Sequence, residues 1–393
     1  MKFTNFTGIN NVQPSERLGE SDLAHAVNVD VGLSGEVSRR QGYTTLDAIT
    51  PVDWLHERKD CTLVVSGSDL IAVSLDGLTK ATLLTDAGLA GRRAWFTDLP
   101  DGRTAFANGV ITGITDGVTV TGWGVPVPAT VGTATSVAGQ LDPGAYQWQI
   151  TYVRTSDGLE SGAAFSSGPA NLPDGGILLT GLPVLAGHRI NVYLTGTNGD
   201  KAFYAGTTLT GSFSYLGKSD ALTLPCHTEH LAPAPNGTIC ATWRGRVLLA
   251  EGNVLHASRP HQPELFDLKR DFKQFTAPIT MIQPVDDGIW VGTEKDLAFL
   301  AGTQFDALTF TPRDVGPVVL GSGVSAPGEY VAQGQGTGQG AAMLCIAGGR
   351  IVSGFNGGLL INVTRERYQT DADEVCATFR INGGIPQYVA IPR

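Results

Sequence analysis

The chain has 393 residues, 42% of them hydrophobic, enough for a sizeable core and for two or three domains. Its 27 Lys and Arg against 37 Asp and Glu give a formal net charge of −10, which excludes a surface built mainly to grip phosphates and so argues against tight nucleic-acid binding. Gly (51) and Pro (21) are abundant but scattered at turn positions, the punctuation of an all-β chain rather than of disorder.

The opening stretch, MKFTNFTGINNVQPSERLG, holds one Lys and no apolar core, and nowhere do 18 apolar residues run uninterrupted. Neither a classical export signal nor a membrane-spanning segment is expected. Helix signals are scarce; the best is a one- or two-turn helix over Glu20 to Asn28 with Ser21 as its cap. From Trp54 onward short strand runs recur, CTLVVSG, LIAVSLDG, RRAWFTDLPDGRTAFANG and VITGITDG, each closing on Gly or Asp-Gly. Val125-Pro126-Val127-Pro128-Ala129 then reads as an extended joint with few ladder hydrogen bonds.

Beyond that joint the texture changes. In Tyr146 to Val153, Tyr146, Trp148, Ile150 and Tyr152 fall on one face and Gln147, Gln149, Thr151 and Val153 on the other, the period of a strand with one aromatic face. About 100 residues with turns every eight to twelve positions predict a β-sandwich. The run Tyr146 to Arg154, with Asp157-Gly158 and Glu160-Ser161 after it, resembles the C strand and following loop of a fibronectin type III domain. That resemblance implies a later core strand at His188 to Thr195. A second proline joint, Ala232-Pro233-Ala234-Pro235-Asn236-Gly237, closes the module and marks it as an insertion. The expected division is 1–126 and 232–393 for the two parts of a host domain and 127–231 for the inserted sandwich.

From Trp243 to Gly302 the host resumes as a meander. The runs Val247 to Ala250, Val254 to Ala257, Ile289 to Gly292 and Leu297 to Leu300 alternate with the turns Glu251-Gly252-Asn253, Asp286-Asp287-Gly288 and Glu294-Lys295-Asp296. Such a sheet cannot bury both faces alone and must stack against sister sheets around an axis, which predicts a β-propeller-like disc. Further on, Gly334 to Gly340 alternates G-x-G-x-G-x-G, without the spacing or the strand-to-helix setting of a dinucleotide site, and reads as a loop or hairpin tip.

No residue is nominated as catalytic, cofactor-binding or metal-ligating, no cofactor is expected, and the chain reads as a non-enzyme. Cys61, Cys226, Cys240, Cys345 and Cys376 are odd in number and far apart, hence expected to be reduced core residues. In Cys226-His227-Thr228-Glu229-His230 the ligand types are dense, but no helix would converge them on a metal. His256 and His261 read as a strand end and a turn, and no G-x-S-x-G elbow or Ser/His/Asp set can be assembled. Asp286-Asp287 are adjacent and so cannot flank one glycosidic bond; sialidase-type Ser-x-Asp-x-Gly-x-x-Trp repeats are missing. Arg39-Arg40, Arg92-Arg93, Arg244 to Arg246 and Lys269-Arg270 read as solvated faces or inter-subunit ion pairs.

A second resemblance lies in Phe6 to Asn11, Ala26-Val27-Asn28-Val29-Asp30 and Gly35 to Tyr43, the last containing Arg39-Arg40-Gln41-Gly42-Tyr43. This run, with the stretch from Gly245 through Phe266, is similar to tail nozzle and tail-tube propellers of short-tailed bacteriophages, although it departs from the longer nozzles in carrying one sandwich in place of platform domains. The resemblance implies a virion structural protein of the tail, assembled in the host cytoplasm. It would form a six-fold homo-oligomeric ring that extends the portal–adaptor channel, contacts adaptor and tail fibre proteins, and lets DNA pass without specific binding. The alternative is a receptor-facing adhesin or carbohydrate-binding propeller.

Overall fold

The computed structural model describes residues 6, 8–32, 35–40, 42, 49–331, 338–364, 366–382 and 384–393. Five antiparallel meanders and a hairpin succeed one another along the host chain. The first sheet comprises Trp54–Glu57, Cys61–Ser66, Asp69–Ser74 and Lys80–Thr85; the second Trp95–Asp98, Thr104–Ala107, Thr112–Thr115 and Val120–Gly122. The third begins with Cys240–Trp243, Arg246–Glu251 and Val254–Arg259. Its last strand pairs at one end with Phe272–Gln274 and at the other with Gln262–Phe266. The fourth comprises Ile279–Val285, Gly288–Thr293, Leu297–Ala301 and Thr309–Arg313; the fifth Val324–Pro327, Ala341–Ala347, Arg350–Gly354 and Leu360–Asn362. Val375–Asn382 and Ile385–Pro392 form the closing hairpin.

The second strands of these sheets, such as Thr104–Ala107, Gly288–Thr293 and Ala341–Ala347, are buried on both faces, which is why their sequences read as near-continuous apolar runs. In Arg246–Glu251, Val247 and Leu249 pack with Ala105, Ala107 and Ile114 of the second sheet. The alternate residues Leu248 and Ala250 pack with Ile289, Val291 and Leu300 of the fourth. Trp290, Phe299 and Met281 continue the stack onto Met343, Cys345 and Val352 of the fifth sheet. The molecule is a β-propeller, its first strands nearest the axis.

The ring shuts through aromatic and cationic side chains. Arg93 donates to the Val375 carbonyl at 2.8 Å and pairs with Glu374 at 3.2 Å. Its guanidinium lies 4.8 Å from the Trp54 ring and 4.2 Å from the Trp95 ring, while that of Arg393 lies 3.9 Å from Trp54. The N-terminal segment is tied to the same region. Asn11 donates to the Arg367 and Gln369 carbonyls at 3.0 and 2.7 Å, and Asp30 lies 3.7 Å from Arg380.

Between the second and third sheets the chain departs into a sandwich. One sheet has Gly175–Thr180 between Thr133–Ala138 and Ser212–Tyr215; the other runs Ala164–Phe165, Trp148–Arg154, His188–Thr195, Ala202–Thr208. The aromatic face formed by Tyr146, Trp148, Ile150 and Tyr152 closes on Ile177, Leu179, Ile190, Val192 and Leu194. Trp148–Arg154 pairs along its whole length with His188–Thr195.

Two expectations are corrected. Residues 20–28 form no helix: Asp22 and Leu23 pair in parallel with Gly8 and Ile9. There the Asp22 carboxylate accepts from Asn10 and from the Gly19 amide, so pairing with the preceding strand overrides local helix propensity. Four of the cysteines are buried, but Cys376, on the closing hairpin whose strands alternate in burial, is exposed. Most of the Gly334 to Gly340 run, as well as Thr7, Gln41 and Tyr43 of the N-terminal motif, lies outside the described residues.

Candidate functional site

The axis of the disc holds two large cavities. One, of about 620 Å³, is lined by the first strand of every sheet: His56, Thr97, Thr242, Gln283, Ser325 and Thr378 each come from a different one. Its lining has no Asp, Glu, Lys or Arg. A second cavity, of about 810 Å³, opens as a funnel where the connections between sheets converge with the turns bearing Asn108, Gly252, Glu294 and Gly349. Trp95 and Thr280 line both, so the two volumes meet there. Thr280 is 7% exposed and its hydroxyl has no partner among the described residues. The funnel rim carries exposed Arg92, Glu294, Asp371 and Asp373.

Within the axial lining, His56 Nε2 lies 3.0 Å from Asp98, its ring stacked on Phe96 at 5.3 Å. The same carboxylate accepts from the Thr104 hydroxyl at 2.6 Å. No Ser, Thr or Cys hydrogen-bonds the imidazole among the described residues, so the pair lacks the nucleophile that would make it a catalytic triad. Sequence reasoning did not single out this pair, because 42 positions separate its members and neither lies in a motif.

The residues weighed from sequence are scattered over the molecule. Cys226 is buried and 3.6 Å from the Thr228 hydroxyl, its thiol pushed up by burial; His230 stacks on Phe165 at 6.1 Å. Among the described residues no group of three or more His, Cys, Asp or Glu is placed to hold a metal ion. His256 is buried on its strand, 3.3 Å from Glu251 and against Phe272, its imidazole held below the usual range by burial despite the opposing carboxylate. His261 occupies a turn at φ 57°. Asp286 and Asp287 sit in the turn between Ile279–Val285 and Gly288–Thr293 and reach to the fifth sheet's connection. Asp286 accepts from Asn356 at 3.1 Å, Asp287 from the Gly357 amide at 2.7 Å. Of the basic spots, Arg93 closes the ring, Arg246 pairs with Asp271 at 2.9 Å, and Arg244 donates to the Asp286 carbonyl at 2.7 Å. These cations join neighbouring parts of one chain.

A buried electrostatic cluster lies where sandwich meets disc. Glu264, whose side chain is 6% exposed, accepts from Arg103 of the second sheet at 2.6 Å and from Arg154 of the sandwich at 2.7 Å. Asp101 and Asp157 flank the two guanidiniums, and their arginine partners hold both carboxyls below the usual range against the effect of burial. Around this cluster the two joints lie side by side. The Ala234 amide donates to the Trp123 carbonyl at 3.0 Å, Trp123 Nε1 to the Pro263 carbonyl at 2.7 Å, and Ala232 exchanges two backbone hydrogen bonds with Phe266. Gly124, at φ 101°, lies so close that a Cβ there would fall 2.7 Å from the Glu264 carbonyl oxygen.

No protein-family model matches the sequence, and no curated protein does. Among solved structures, virginiamycin B lyase from Staphylococcus aureus aligns over 85% of this chain and 90% of its own at 9% identity and a TM-score of 0.31. The Neurospora crassa Pan2 WD40 domain aligns over 86% and 88% at 10% identity and a TM-score of 0.34. A streptogramin B lyase aligns over 85% and 90% at 10% identity, also with a TM-score of 0.34. Likenesses at this level say nothing of this chain's activity. No helix of the described residues is long and apolar enough to cross a membrane.

Proposed function

We propose that this protein is a structural component of a short-tailed phage tail, a nozzle or tail-tube propeller that extends the portal–adaptor channel for genome ejection. The observation that carries the reading is the Arg103–Glu264–Arg154 cluster, which joins the disc and sandwich through buried, charge-assisted hydrogen bonds. A repeated brick in a load-bearing ring needs such a fixed angle between its two bodies, whereas a binding module on a tether does not. The N-terminal run with Arg39-Arg40-Gln41-Gly42-Tyr43 supports the same assignment by resemblance. A formal charge of −10 per chain, multiplied around a ring, suits a channel through which DNA slides without phosphate contacts that would hold it. In this reading the chain acts without a cofactor and without catalysis, its partners being copies of itself, the adaptor and the fibres.

Mixing the purified chain with the portal and adaptor of the same phage and weighing the particle tests this directly. A cyclic assembly, six-fold by resemblance, that forms on the adaptor is the expected result. A virion reconstruction with a single copy at a fibre tip, or with a basic inner wall around the DNA, would overturn it.

A further inference from the structure

The sandwich has a cleft on the face of its four-stranded sheet turned away from the sandwich core. The floor is His188–Thr195, where Asn191 and Tyr193 project on the side opposite Ile190 and Val192. One wall is Tyr204 with Thr207; the other is the return segment Leu224 to His227, which the Tyr204 amide fixes by donating to the Leu224 carbonyl at 2.7 Å. The cleft is open to solvent and has a volume of about 550 Å³, within the range of small-ligand sites.

Three features distinguish this cleft from an ordinary surface dent. Its floor is held in place on the cleft side: a single oxygen of Glu160 accepts from Thr151 at 2.5 Å, from Asn191 at 3.0 Å and from Tyr193 at 2.6 Å, which fixes the Asn191 amide and leaves its oxygen without a partner among the described residues. The aromatic surface is fixed too, because Tyr204 stands edge-on to Tyr193 at 5.7 Å. Finally, Arg189 lies in the lining, exposed and with no carboxylate partner among the described residues, beside exposed His227. A preset hydrogen-bonding amide, an aromatic wall and an unpaired guanidinium fork are complementary to a ring that carries hydroxyls on one side and a carboxylate at one end.

We propose that this cleft binds an acidic saccharide, a uronate unit of a polysaccharide. Its carboxylate pairs with Arg189, a ring hydroxyl donates to Asn191, and the apolar face of the sugar covers Tyr204 and Leu224. The proposal stands on the sandwich alone, so a tail-ring component and an adhesin could both carry the site, and its failure leaves the assembly reading untouched.

The test is calorimetric titration of the intact chain with a hyaluronan tetrasaccharide, with neutral cellotetraose as the comparison. The uronate probe is expected to bind at least about tenfold more tightly than the neutral one. Arg189→Ala, a change at an exposed position, and Tyr204→Ala are each expected to weaken binding by about tenfold or more, and Lys218→Ala, on another loop, to leave it unchanged. Absence of binding up to roughly 10 mM probe overturns the proposal. So does equal affinity for cellotetraose, indifference to both cleft substitutions, or a poly-aspartate peptide that binds as tightly as the saccharide.

Discussion

Arg154 of the sandwich and Glu264 of the disc, 110 positions apart in sequence, meet at 2.7 Å with side chains only 10% and 6% exposed. This is not a surface ion pair of negligible worth: without Arg154 the buried Glu264 would keep Arg103 alone, and without Glu264 the buried Arg154 would keep only the half-exposed Asp157.

Arg154→Ala is therefore expected to cost about 1.5 to 3 kcal/mol in the sandwich–disc junction, since Glu264 keeps Arg103, read as a lower thermal midpoint together with faster proteolysis at the two proline joints. The paired replacement Arg154→Met with Glu264→Met should recover much of that loss, since buried ion pairs replaced whole by apolar side chains are often neutral. If the single substitution leaves both the midpoint and the cleavage rate unchanged, the junction is not held by this pair.

Excision of residues 127–231, bridged by a short Gly/Ser linker, is expected to leave a disc that unfolds in one cooperative transition. The two ends already touch, Ala234 hydrogen-bonding Trp123, so the closure needs no rearrangement. The midpoint should nevertheless fall below that of the intact chain, because Glu264 keeps only Arg103 and Val125 loses the sandwich core against which it packs. A denaturant titration with no cooperative transition in the excised protein, next to one in the intact chain, would show that the disc depends on its insertion.

A third expectation concerns pH. Burial holds the folded His256 imidazole below its ordinary 6.5, the nearby Glu251 pulling the other way more weakly. The unfolded chain therefore takes up a proton that the fold refuses. Stability from this site is complete above pH 6.5 and drains away as the pH falls through that value towards the folded pKa. Urea midpoints at about pH 7.5 and about pH 5.5 should differ less in His256→Gln than in the natural sequence. An equal drop in both proteins would assign the acid sensitivity to other groups.

Local chemistry explains what was legible in the sequence. The hairpins over Val247 to Ala257 and Ile289 to Leu300 declare themselves because each short turn is bounded by apolar strand runs, and the registers Glu251↔Val254 and Gly292↔Leu297 follow from those turns. The aromatic face of Tyr146, Trp148, Ile150 and Tyr152 was readable for the same reason, as a two-residue period needs no partner to be seen. What escaped is what depends on distance along the chain. Nothing near Glu264 announces Arg103 and Arg154, nothing near His56 announces Asp98, and the helix signal at Ser21 could not foresee that Asp22 and Leu23 would pair with Gly8 and Ile9. The cleft on the sandwich was equally hidden, since Arg189, Tyr204 and His227 come from three separate segments.

The closure at Arg93 also sets a timetable for synthesis. Arg93 and the Val375 carbonyl that it grips are 282 residues apart. At about 5–20 residues per second, translation takes roughly fifteen seconds to a minute to deliver the second after the first. Throughout that interval the nascent first sheet carries Trp54 without its eventual cover, while the sandwich, whose core is drawn almost wholly from its own segment, is free to fold as it leaves the ribosome. A chain stalled before the closing hairpin would thus present a finished sandwich on an open, sticky arc, the form most prone to join its neighbours in the wrong way.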